Sequence, residues 1–115
     1  MLIRSQNRGT IVNVDATNHI FIGEVYRPNG SLYDVCADEM RLGYYLTKTT
    51  AMKVLDMIQE VYAEYKFTCT FLTGFTGHQT IAESNDVHVN GFKELAEGFK
   101  KNMVFQMPED SEVEA

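Results

Sequence analysis

The sequence predicts an α+β fold: an antiparallel β-meander of about five to six strands packed on one long amphipathic helix, with a short second helix. Three observations carry that expectation. Stretches rich in β-branched and aromatic residues alternate with turn residues as far as Leu46. The apolar period then switches from that of a strand to that of a helix. With 115 residues, 44% of them hydrophobic and 23% charged, the chain has core enough for one domain and no room for two. That single α+β domain is placed at residues 1–107, followed by an acidic disordered tail at 108–115.

The meander opens with Leu2–Gln6, and Asn7-Arg8-Gly9 supplies a hairpin loop. Thr10–Val14 alternates as the second strand, and Ala16-Thr17-Asn18 turns the chain again. His19–Tyr26 is the third strand. Arg27-Pro28-Asn29-Gly30 closes it with the strongest turn in the chain, because Pro presets φ and Asn-Gly tolerates positive φ. Leu32–Ala37 and Leu42–Leu46 follow, separated by the polar Asp38-Glu39, and connections this short imply antiparallel pairing.

Ala51, Val54, Leu55, Ile58, Val61, Tyr62 and Tyr65 then form one helical stripe, with Lys48, Lys53, Asp56, Glu60 and Glu64 on the wet side. Thr47 or Thr49 caps its start through a hydroxyl. Lys66–Thr73 sets Phe67, Cys69 and Phe71 against Thr68, Thr70 and Leu72 and reads as a strand. Phe92, Leu95, Ala96 and Phe99 have the spacing of the short second helix, with Asn90 as its cap. Met103–Met107 alternates again and stops at Pro108.

The net charge of −6 lies mostly at the end of the chain, in Glu109, Asp110, Glu112 and Glu114. The body is close to neutral, which argues against a general nucleic-acid binder while leaving room for a local basic patch. No apolar run has the roughly 20 residues of a membrane span. Arg4 interrupts the opening too early for a signal peptide, so a cytoplasmic protein with no membrane partner is expected. Cys36 and Cys69 fit reduced, structural thiols rather than a disulfide framework.

No motif for catalysis stands out. Gly74–Thr80 lacks the Lys that a phosphate-cradling loop requires. His78, Glu83, Asp86 and His88 share a polar stretch, but their spacing matches no metal motif, and solvated loop side chains are the better reading. No nucleophile elbow or dinucleotide fingerprint is present. The expectation is therefore a non-enzyme with no catalytic residue, no cofactor and no metal site.

Three pieces of sequence carry a resemblance. They are Met1–Gln6 followed by Val12-Asn13-Val14, then Leu42-Gly43-Tyr44-Tyr45 ahead of Ala51–Ile58, and the closing Phe105-Gln106-Met107-Pro108-Glu109. Together they resemble a family of small uncharacterised proteins frequent in Firmicutes and their phages. Those proteins similarly open with an Ile-Arg-Ser-Gln-like strand and end near a Met-Pro-acidic segment. The resemblance covers about half the chain; residues 66–101 depart from it. It implies a phage or mobile-element origin and a host-directed or anti-defence role, and it transfers no site residues.

The function expected is that of a protein-interaction or accessory module, with a nucleic-acid-associated accessory protein as the alternative. Partners are a second copy, as a homodimer, or another protein. The candidate interaction surface comprises Arg4, Gln6, Tyr26, Tyr33, Tyr44, Tyr45, Phe75 and His78. Tyrosines on a sheet are half-buried packing residues or interface anchors, and Arg4 and Gln6 are the polar members of the first strand.

Overall fold

A computed structural model describes residues 1–76 and 103–113, the side chains of 72–76 excepted. The first strand, β1 (Leu2–Arg4), meets β2 (Ile11–Asn13) in a hairpin closed from within. Ser5 is buried there. Its hydroxyl donates to Asn7 Oδ1 at 2.7 Å and accepts the Thr10 N–H at 3.0 Å. Arg8 takes a positive φ of 63° in the loop, and Gly9 donates its N–H to the same Asn7 oxygen.

After β2 the chain does not continue the meander. Asn13 accepts the Asp15 N–H and caps a 3-10 turn at Val14–Ala16, which directs the next strand into a separate sheet. That sheet is β3 (Ile20–Val25), β4 (Leu32–Ala37) and β5 (Met40–Tyr45), all antiparallel. The last strand, β6 (Val104–Gln106), pairs parallel with β1, giving the order β2-β1-β6. The α+β class is as the sequence predicts, but one continuous meander is replaced by two three-stranded sheets. A parallel pair needs a long crossover, and the whole stretch from β2 to β6 supplies it.

Both predicted turns of the second sheet form. Gly30 takes φ 122° and donates to Arg27 O, while Asp38 takes φ 53° between β4 and β5. The Asp38 carboxylate accepts the N–H groups of Asn18 and His19, tying that turn to the start of β3.

One helix, α1 (Lys48–Thr76), packs against this sheet. Thr47 caps it, accepting the Thr50 N–H at 3.1 Å. Ala51, Val54 and Ile58 are buried, and Val61, Tyr62 and Tyr65 are packed at the margin of the same core. Full burial of a Val or Ile side chain stabilises by about 1.5–3 kcal/mol, so these few contacts anchor the helix. The core they join holds Met1, Ile3, Val35, Ala37, Leu42, Tyr45 and Met107. No helix among the described residues is long and apolar enough to cross a membrane.

Two further expectations are corrected. Residues 66–73 are helix, not strand. The hydroxyls of Thr68 and Thr70 bond back to Glu64 O and Lys66 O, four residues earlier, so β-branched side chains are accommodated in the helix. Phe67, on this part of α1, is 71% exposed. The segment after Pro108 is also more than a solvated tail. Glu109 and Glu112 form a reciprocal capping box around a 3-10 turn at Asp110–Glu112, and Val113 packs against the core. The short second helix expected at Phe92–Phe99 lies outside the described residues.

Candidate docking site at the β3 edge

The eight residues singled out from the sequence separate into different roles. Gln6 is a clamp between the sheets. Its Oε1 accepts the Tyr44 N–H at 3.1 Å, and its Nε2 donates to Pro108 O at 3.2 Å. Gly43 makes room for it, since a Cβ there would sit 3.1 Å from Gln6 Cβ. Arg4 donates its Nε to Arg8 O within the first hairpin. Tyr45 is corrected from a surface residue to a core one: it is fully buried, and its hydroxyl donates to Pro108 O at 2.8 Å. Burial, reinforced by Glu109, Asp110 and Glu112, pushes its hydroxyl pKa upward.

Tyr44 is exposed on β5. Tyr26 is 80% exposed just beyond β3, and both Tyr26 and Tyr33 direct their hydroxyls to Glu24. The structure thus brings Tyr26 and Tyr33 together around one carboxylate, places Tyr45 in the core and leaves Gln6 half-buried between the sheets. The Phe75 side chain and His78 lie outside the described residues.

The sequence reading expects an open sheet edge without saying which strand carries it; the structure places it at β3, beside Tyr26. The ladder between β3 and β4 includes the bond from Asp38 N–H to His19 O, which sets its phase. Ile20, Ile22 and Glu24 therefore turn their N–H and C=O groups away from β4. No strand among the described residues pairs with that edge. It is six residues long, with no Lys, Pro or bulge, and its one charge is Glu24 near the end, so Ile20–Gly23 carries none of the devices that usually keep an edge unpaired. The signal was available: Ile20-Phe21-Ile22-Gly23 is a run with no such protection ahead of Glu24.

Beside the first part of this edge runs an open groove of about 410 Å³ between β3 and α1. Val14, Ile20, Leu55 and Ile58 give it an apolar floor, and Asn18 and Gln59 are among its polar lining. Its far end is fixed by Asp15, which accepts the Tyr62 hydroxyl at 2.7 Å and the Lys66 ammonium at 2.9 Å. The amino group of Met1 lies 3.4 Å from the same carboxylate. These donors, Tyr62 first, lower the Asp15 pKa to about 2. The groove is therefore bounded by a strand edge on one side and a pinned helix on the other.

The sheet face turned away from α1 carries a small polar cluster. Asp34 is only 7% exposed and accepts Arg41 Nε at 3.0 Å. A Cβ at Gly23 would fall on Asp34 Oδ1, so the glycine makes room for the carboxylate. Burial and the Asp34 charge push the Cys36 thiol up to about 11, the opposite of what a nucleophile requires. Among the described residues no group of three or more His, Cys, Asp and Glu is placed to hold a metal ion. His78, Glu83, Asp86 and His88 are not among them.

No family model, curated protein or solved structure matches this chain. The site therefore stands on its own geometry. Backbone donors and acceptors in a row, with an apolar groove alongside, suit the capture of an extended polypeptide strand.

Proposed function

We propose that this chain is a non-enzymatic protein-interaction module that captures an extended polypeptide segment on the β3 edge. The observation that carries the reading is the edge of Ile20–Val25, unpaired among the described residues, beside the groove at Ile20, Leu55 and Ile58. A segment added there would satisfy the outward N–H and C=O groups of Ile20, Ile22 and Glu24 and lay alternate side chains into the groove. Resemblance to phage-frequent proteins favours a host or defence protein as the source of that segment. A nucleic-acid role has less support, because Asp34 engages Arg41 and Arg4 is turned into its own hairpin.

Selection from a displayed library of random peptides, with the protein immobilised as well-separated single copies so that its edge is free, tests the proposal. The wild type is expected to enrich sequences with alternating apolar residues. Glu24→Pro, which deletes an outward N–H, is expected to enrich none of them at an unchanged melting temperature. Equal enrichment by the two proteins, or none by the wild type, would overturn the reading.

A further inference from the structure

The groove and an exposed aromatic occur on the same strand, and a two-fold axis brings them together. The edge offers outward hydrogen-bonding groups at Ile20, Ile22 and Glu24. An antiparallel pair of two such edges uses all three positions only when Ile22 faces Ile22 of a second copy. Ile20 then faces the second copy's Glu24, and Asn18 faces its Tyr26. All these residues have even numbers, so their side chains share the face on which α1 packs. The bonds from the Tyr26 and Tyr33 hydroxyls to Glu24 agree with that placement.

We infer that the chain forms a two-fold dimer through antiparallel β3 edges, with Tyr26 of each copy seated in the groove of the other. This inference rests on the reading of the β3 edge as the docking site. Ile20 and Asn18 both line the groove, so the residues facing them in this register are delivered to its mouth. Tyr26, 80% exposed in one chain, gains an apolar floor of Val14, Ile20, Leu55 and Ile58 in the other.

Charge supports the second copy as occupant. Glu24 is the sole charged residue of β3, and this register keeps the two Glu24 carboxylates apart. Each lies toward amide donors of the other chain at Asn18 and Gln59. Sliding the pair by two residues per strand toward Glu24 would set carboxylate against carboxylate, which disfavours that alternative. The surface is self-complementary and closes after two copies, as an isologous interface must.

Sedimentation at tens of micromolar, with amide hydrogen exchange, tests the inference. The wild type is expected at twice 13.1 kDa, with the Ile20, Ile22 and Glu24 amides protected. Tyr26→Ala should weaken self-association by at least about tenfold and Glu24→Pro should abolish it, both with the circular dichroism of the folded chain retained. In Tyr26→Ala the three amides should exchange freely. A wild-type monomer, or a dimer that tolerates either substitution, would overturn the inference. Peptide selection repeated on Tyr26→Ala separates the two readings. Enrichment on that variant beside a monomeric wild type would remove the dimer alone, while failure of both would remove the docking site itself.

Discussion

The two edges of the β3-β4-β5 sheet have the same hydrogen-bonding needs and opposite treatment. At β5, Leu42 O accepts the Gln6 N–H and the Tyr44 N–H is bonded by Gln6 Oε1. Just past the strand, the Leu46 N–H reaches the Asp110 carboxylate. That edge is sealed by backbone and side-chain groups from distant parts of the chain. At β3 the corresponding groups meet no partner among the described residues. A chain able to cap one edge with a single glutamine and an aspartate leaves the other, among the described residues, bare and next to a groove. The contrast points to the bare edge as the one that is used.

A matched pair of prolines should break this contrast most sharply. Tyr44→Pro deletes an N–H that is bonded and pushes the ring against Gln6, and it should cost about 3 kcal/mol in urea unfolding. Glu24→Pro deletes an N–H that points outward, and it should cost less than about 1 kcal/mol. Equal losses would mean that the β3 edge is sealed after all.

A smaller effect is expected from truncation after Pro108. It removes the Asp110 bond to Leu46 and the packing of Val113 but keeps the Tyr45 bond to Pro108. A loss of about 1–2 kcal/mol should appear in thermal or urea unfolding, the value of one charge-assisted bond with a small apolar contact. No change would show that the acidic segment contributes nothing to the β5 seal.

These two tests also mark where the sequence was legible. The five strands up to Leu46, the closing strand at Met103–Met107, the Arg27–Gly30 turn and the Ala51–Tyr65 stripe follow from local period and turn chemistry, and each is found. The split into two sheets was not legible, because β2 does not pair with β3 and β1 takes β6 as its second neighbour through pairing that no local pattern records. Thr68 and Thr70 looked like strand residues because their bonds to the helix carbonyls depend on the helix already being there. The carboxylates after Pro108 read as solvated because an acceptor and its distant N–H partner are equally invisible in composition. Of the candidate site, Tyr26 was found as an exposed aromatic, whereas the groove proposed to receive it is a property of packing.

The smallest expected effect concerns the pinned end of the groove. Asp15 has its carboxyl pKa lowered from 3.8 to about 2. A depressed carboxylate pKa adds stability that is complete above the unfolded value and disappears as pH falls through the folded one. The bonds from Tyr62 and Lys66 should therefore weaken between about pH 4 and pH 2. Asp15→Asn should flatten the pH dependence of melting in that window and leave it unchanged at neutral pH. An Asp15 carboxyl resonance titrating near 3.8 would mean that the pin is not made.

The parallel pairing of β1 with β6 joins residues about a hundred positions apart, whereas β3, β4, β5 and α1 are built from successive neighbours. Bringing the distant ends together costs closure entropy that local hairpins avoid, so the hairpin-and-helix part is the natural nucleus and the β1–β6 seam forms late. The Gln6 clamp stands on that late seam, and so does the bond from Tyr45 to Pro108. During folding both edges of the nascent sheet are therefore bare for a time. Chains made close together are then most exposed to mispairing through β5, before Gln6 arrives to separate the edge that is kept open from the edge that is closed.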